Sequence, residues 1–189
     1  MPSKDRMPHL TADQMTTDQK RAETEFRESR GYGLLGPFSV MLRSPEVMLR
    51  AKAMGDYLRF RNVLPKRVSE MVILITAREW TQQFEWSHHY KYAREAGLAT
   101  EIADAIAQGR RPERMSEDEA AAYDFSCELH RHRSVSDATY ARALALFGEQ
   151  GIIDLTGVNG YYSFLAMMMN VARTPPDSDD VEPLKPFPN

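Results

Sequence analysis

Apolar residues recur along this chain at helical spacing, and capping residues mark where each periodic stretch begins and ends. Ser44-Pro45-Glu46 has the chemistry of a helix start: a capping hydroxyl, a proline at the first helical position and an acid at the positive end of the dipole. The helix it opens is predicted to run to about Asn62, with Val47, Met48, Ala51, Met54 and Leu58 on one face. Pro65 opens a second helix, in which Val68, Met71, Val72, Leu74 and Ile75 form a strongly apolar surface interrupted by Glu70. A break near Trp80 and Thr81, with Thr81 as cap, starts a third that ends at Gly97.

Thr100 to Gly109 reads as a short helix with Ile102 and Ile106 facing inward. Ser116 and Glu119 form a capping box for a helix ending near Arg131. Ser136-Asp137 caps another, closed by Gly148, and the last runs from about Ile152 to Arg173. That last helix is apolar over most of its surface, which suits a deep core or a contact between subunits. Residues 1–17 read as a mobile arm, 18–30 as a charged surface helix, and 174–189, rich in proline and acid, as a loosely attached tail. No stretch alternates apolar and polar residues between hairpin turns, so strands are not expected. The pattern predicts an all-α protein of about seven helices.

Composition narrows the partners. At 189 residues, 42% hydrophobic and 27% charged, the chain can bury one real core. A net charge of −3, with bases and acids interspersed, gives no footprint for nucleic acid. No apolar run is long enough for a membrane helix, and the polar N-terminus lacks the apolar stretch of a secretory signal. The single cysteine, Cys127, excludes an intrachain disulfide and fits a reducing compartment, so a cytoplasmic protein is expected.

The chemistry concentrates at residues 82–89, Gln-Gln-Phe-Glu-Trp-Ser-His-His. Glu85 and His89 stand four apart, hence on one helix face, with Gln82 three before Glu85 on the same side. A carboxylate beside an imidazole can fix its tautomer and tune its pKa for proton transfer. Taken alone, such a pair is more often a modest surface interaction. Glu70, set among apolar neighbours, needs a partner if buried: His89, or an arginine such as Arg67 or Arg78. Adjacent His88 and His89 diverge by about 100° on a helix and make a poor chelate, so no metal is expected. His88 and Trp86 suit a pocket wall.

Glu70, the apolar run after it, Glu85-Trp86-x-x-His89 and Ala93…Ala96-Gly97-Leu98 together resemble the carboxymuconolactone decarboxylase superfamily, which includes the AhpD-like alkylhydroperoxidases. The match is best over residues 64–109 and extends more weakly from about Pro37 to Pro176. It implies an AhpD-like helical domain over residues 37–174, flanked by an arm and surface helix (1–36) and the tail (175–189). It also implies a homo-oligomer built from trimers. In the peroxidase branch a glutamate is followed by two cysteines three apart and a histidine four further on. Aligned here, these fall on Glu70, Gln82, Glu85 and His89, so the thiolate and its resolving thiol are missing.

The branch without those cysteines keeps a tryptophan and histidine, as Trp86 and His89 do here. It implies a cofactor-free acid–base lyase acting on a small carboxylated ring or lactone. In that reading His89 is the proton donor, Glu85 and Glu70 orient it, and Gln82, Trp86, His88 and Arg78 line the substrate pocket, Arg78 being the one candidate for the substrate carboxylate. Two alternatives stand beside it: a scaffold of this fold that binds without turnover, and a peroxidase without its cysteine pair.

Overall fold

The computed structural model describes residues 5–187. Eight helices and no strand occur among them: α1 (Thr17–Arg30), α2 (Pro37–Met41), α3 (Pro45–Phe60), α4 (Lys66–Glu79), α5 (Gln83–Glu95), α6 (Thr100–Ala107), α7 (Glu117–His132) and α8 (Asp137–Ala172). The boundaries follow local chemistry. Thr16 and Gln19 cap α1 reciprocally, and Gly31 closes it in the left-handed conformation at φ 75°. The Glu119 carboxylate accepts the Ser116 backbone N–H at 2.8 Å to start α7. The expected stop at Gly148 is a break of direction: its φ of 67° and ψ of 178° interrupt the helical path, and the chain runs on as the second limb of α8.

The centre of the molecule is α4. Every residue from Val68 to Arg78 is buried, and the helix packs against α5, α7 and α8. A helix buried all round is held by its apolar side chains, each worth about 1.5–3 kcal/mol when fully removed from water. Met71, Ile73, Leu74 and Val72 on α4 meet Leu155, Leu165 and Met169 of α8 in one continuous core.

Three expectations change here. The short helix α2 has no counterpart in the sequence reading, because five residues with one capping proline carry too little periodicity to stand out. The helix at 17–30 is more than a surface helix: Phe26 and Ala22 enter the core, and Arg30 at its end has a side chain only 6% exposed. The two terminal segments are docked. Arg6 N–H donates to the Ala172 carbonyl at 2.8 Å, and the Arg43 guanidinium holds the Pro8 carbonyl at 2.6 Å. At the other end, Gln83 exchanges two hydrogen bonds with the Leu184 backbone at 2.9 Å, and Leu184 is itself buried. Proline and acid made that tail look unattached; backbone acceptors and one leucine attach it.

Candidate functional site

The site is built around the break between α4 and α5. Thr81 adopts φ 47° and turns the chain. The cap of α5 is then Gln82, one residue later than expected, its side-chain oxygen accepting from Phe84 N at 2.6 Å and Glu85 N at 3.3 Å. Gln82 also donates to Asn170 Oδ1 at 3.0 Å, and Asn170 in turn donates to the Trp80 carbonyl at 3.0 Å. The long helix α8 therefore fixes the angle of the turn. Gln82 caps a helix and stands apart from the His89 cavity.

The turn lays α5 beside α4 so that His89 meets Glu70. Nδ1 of His89 lies 2.8 Å from Glu70 Oε2, with Glu70 fully buried and His89 nearly so. Lys66, one turn before Glu70, places its ammonium 2.6 Å from the other carboxylate oxygen. Arg67 is engaged elsewhere, with Asp118 and Glu119. Burial opposes ionisation of Glu70, but the hydrogen bond and charge of His89, with Lys66 added, outweigh it and draw its pKa down to about 2. Burial acts on His89 in the other direction. It outweighs the pull of Glu70 and, with the nearby charge of Arg59, takes the imidazole down to about 4. At neutral pH the pair is therefore an anionic Glu70 and a neutral His89. A carboxylate only accepts, so Nδ1 carries the proton and Nε2 keeps its lone pair. Nε2 has no hydrogen-bond partner among the described residues.

Glu85 departs from the role its spacing suggests. It is 2% exposed, and neither carboxyl oxygen has a hydrogen-bond partner among the described residues. It does not orient His89. Burial alone pushes its pKa well above the ordinary carboxyl range. Its place in the first turn of α5 favours the anion, but a helix end contributes at most about 2 kcal/mol, whereas an unpaired buried charge costs several. Burial wins, and Glu85 is a neutral acid with a proton to donate.

Glu85 and His89 share the lining of one cavity of about 50 Å³ with Arg59, His88, Tyr161 and Tyr162. Tyr162 packs edge-on against the His89 ring at 5.1 Å between centroids. Gly55 of α3 belongs to the same wall, because a Cβ there would overlap the hydroxyl end of Tyr161. Two arginines face in. Arg30 is neutralised by Asp56 at 2.6 Å. Arg59 lies over the Tyr92 ring at 5.0 Å and beside His88 Nε2 at 3.5 Å, and no carboxylate among the described residues pairs with it. His88 Nδ1 is held in turn by Asp177 of the tail at 2.7 Å, while Ser87 Oγ accepts the Asp177 N–H at 3.0 Å.

Of the residues singled out from sequence, the structure brings Glu70, Glu85, His88 and His89 together. Arg78 and Trp86 face away. They line a second cavity of about 620 Å³ beneath the tail, where Arg78 donates to the Ala107 and Lys185 carbonyls and to Thr81 Oγ1, and Trp86 packs on Tyr90. Arg59 was missed: it sits at the C-terminal end of α3, and only the tertiary fold, which brings its side chain to His88 and Tyr92 of α5, reveals it. Cys127 is buried on α7 outside the His89 cavity, and burial pushes its thiol up to about 11.

No protein-family model matches the chain, and no curated protein matches it in sequence. Solved structures do match its fold. A peroxidase-related protein with an alkylhydroperoxidase AhpD core from Ralstonia eutropha JMP134 superposes with TM-score 0.75 at 17% identity, over 92% of this chain and 93% of that one. A putative antioxidant-defence AhpD protein of Agrobacterium tumefaciens gives 0.61 at 17% identity, over 74% and 96%. A variant of the debrominase Bmp8, in complex with 2,3,4-tribromopyrrole, gives 0.69 at 12% identity, over 92% and 91%. The chain has the AhpD-like helical fold.

Proposed function

We propose that this protein is a cofactor-free acid–base lyase that removes carbon dioxide from a small carboxylated ring or lactone. The observation that carries the reading is Glu85: a buried, neutral carboxylic acid in the same cavity as the free nitrogen of an imidazole, neither with a hydrogen-bond partner among the described residues. A structural core would leave neither group unsatisfied. Thiol chemistry has no support, because Cys127 is protonated and lies elsewhere.

In the proposed reaction the bond between the ring carbon and the carboxylate breaks, carbon dioxide leaves, and the electron pair delocalises toward the lactone carbonyl. Glu85 then gives its proton to the carbanionic carbon, and the Glu85 anion regains a proton from solvent through His89. This assigns the two groups differently from their spacing alone: Glu85 is the resting acid, and His89, oriented by Glu70 through Nδ1, is the resting base. The net change is one proton taken up and one carbon dioxide released. The debrominase of this fold holds a small planar ring, which is the size of ligand proposed here.

A second reading is binding without turnover, favoured by the cavity volume of about 50 Å³. Ligand pockets usually measure about 300–1,000 Å³, so a ring enters only if side chains of the wall, such as Arg59, yield. Incubating the protein with unsaturated lactone carboxylates and following carbon dioxide release separates the two readings. Release that is lost in folded His89→Ala establishes the lyase; binding of the same compounds with no release establishes the scaffold.

The same reading includes a cytoplasmic homo-oligomer assembled from trimers. Ile153, Met167 and Val171 are exposed on α8, an apolar edge that a second copy would cover. No helix of the described residues is long and apolar enough to cross a membrane.

A further inference from the structure

We infer that Arg59 is the anion anchor of the His89 cavity, and that the ligand is a monocarboxylate clamped by its guanidinium. This rests on the reading of that cavity as a functional site. The first support is a count of charge around the cavity wall. Arg30 is paired with Asp56 at 2.6 Å, a carboxylate it shares with Lys52 at 2.8 Å, Glu70 lies behind His89 and faces Lys66 at 2.6 Å, and burial favours the neutral forms of His89 and Glu85. Asp177 stops at His88 Nδ1, 2.7 Å away, and among the described residues no carboxylate touches Arg59 itself. A single negative charge on the ligand balances it. A second would meet the lone pair of His89 Nε2 and a carboxyl group that burial keeps from ionising.

The second support is how Arg59 is held. Its guanidinium rests over Tyr92 at 5.0 Å and Phe60 at 5.4 Å, contacts that fix its plane without using its N–H donors. On one side it meets His88 Nε2 at 3.5 Å. Asp177 accepts from Nδ1 at 2.7 Å, so the His88 proton sits on Nδ1 and Nε2 presents a lone pair toward Arg59. Asp177 and His88 are thus positioning residues for a guanidinium that keeps donors free for a bidentate carboxylate. Arg59 lines the same cavity as His88, His89, Tyr161 and Tyr162.

Arg78, the cation singled out from sequence, cannot take this part. Its Nη donors are used on the Ala107 and Lys185 carbonyls and Thr81, it stacks on Phe187 at 4.5 Å, and it does not line the His89 cavity. In the lyase reaction Arg59 would hold the departing carboxylate at the mouth of the cavity and leave the ring carbon facing Glu85.

Acetate and acetamide are probes matched to the cavity volume. They have nearly the same shape and differ in charge. Protein-observed NMR titration at pH 7 and constant ionic strength should show saturable acetate binding at resonances of α3 and α5, with acetamide at least about tenfold weaker. Arg59→Met should lower acetate affinity about tenfold or more, and Arg59→Lys should recover part of it. Acetate binding should also raise the pKa of His89, read from its ring resonances, because the ligand neutralises the charge that depresses it. His89→Ala should still bind acetate. Equal binding of acetate and acetamide, undiminished acetate binding by a folded Arg59→Met, or no binding to the wild type overturns the anchor. Arg59-dependent acetate binding without carbon dioxide release from any lactone acid would sink the lyase reading and leave the anchor standing.

Discussion

The two cavities on either side of α5 differ in a way that volume obscures. The larger, about 620 Å³, lies under the tail and is lined by Arg78, Trp86 and Tyr90. Its most distinctive polar side chain is largely occupied: the two Nη groups of Arg78 hold two carbonyls and one hydroxyl, the guanidinium stacks on an aromatic ring, and Nε lacks a partner among the described residues. The smaller, about 50 Å³, contains a carboxylic acid, an imidazole nitrogen and an arginine that find, among the described residues, no hydrogen-bond partner for the first two and no acid for the third. Where polar groups are satisfied by the protein, the space is a gap in packing. Where they are left open, the fold has kept donors and acceptors for something that arrives from outside.

That contrast predicts opposite outcomes for substitutions a few residues apart. The largest effect belongs to His89→Ala, expected to reduce carbon dioxide release about 10²–10⁴-fold with the helical circular dichroism retained. Comparable turnover in the folded variant would break the assignment of chemistry to the small cavity. Glu85→Gln should cost turnover about 10²-fold, since an amide cannot supply the proton.

Glu85→Gln should also reshape stability against pH. The carboxyl ionises in the unfolded chain near its ordinary 4.5 and stays protonated in the folded one, so rising pH above that value favours unfolding. His89 opposes this between about 4 and 6.5, where the unfolded chain binds a proton that the folded one does not. Above 6.5 the His89 contribution is complete, and the Glu85 contribution goes on lowering stability until its folded pKa is reached. Urea melts from pH 6.5 to 8.5 should therefore show the variant gaining on the wild type as pH rises; parallel curves would mean that Glu85 is already ionised.

Next in size is the large cavity. Arg78→Met should lower stability by about 2–4 kcal/mol through its lost buried hydrogen bonds, and should free the tail to proteases, while kcat changes less than about threefold. A loss of turnover matching that of His89→Ala would erase the distinction between the cavities. A smaller effect follows for Asp177→Asn, which frees the His88 tautomer and loosens Arg59. KM should rise about three- to tenfold with kcat nearly unchanged, measured at saturating and limiting substrate. Cys127→Ser should leave turnover unchanged, and dithiol-driven peroxide consumption should be absent in both proteins.

The fold was legible in the chain because its signals are local. Ser116 with Glu119, and Ser136, mark helix boundaries where the structure has them, and Gly148 marks the break inside α8. The meeting of Glu70 with His89 was legible only as one of several possibilities, since 19 residues and a turn separate them. Arg67 or Arg78 would have satisfied Glu70 equally well on paper. Spacing misled at Glu85: four residues from His89 on one face permits contact, but the first turn of α5 carries its carboxyl group into the cavity without reaching the ring. Arg78 and Trp86 show the same limit, for proximity along a helix does not say which of its faces meets the void. Arg59, Asp177 and Arg30 come from α3, the tail and α1, and only tertiary packing joins them.

Gly55 has a further consequence. By omitting a side chain it lets the end of Tyr161 lie against the backbone of α3, and Tyr161 is part of the cavity wall. One methyl group at position 55 would drive that phenol inward and shrink the available space, with every chemically active residue unchanged. Position 55 is thus a size dial set apart from the reaction itself. Related chains could retune which rings they accept by varying one residue that carries no reactive group.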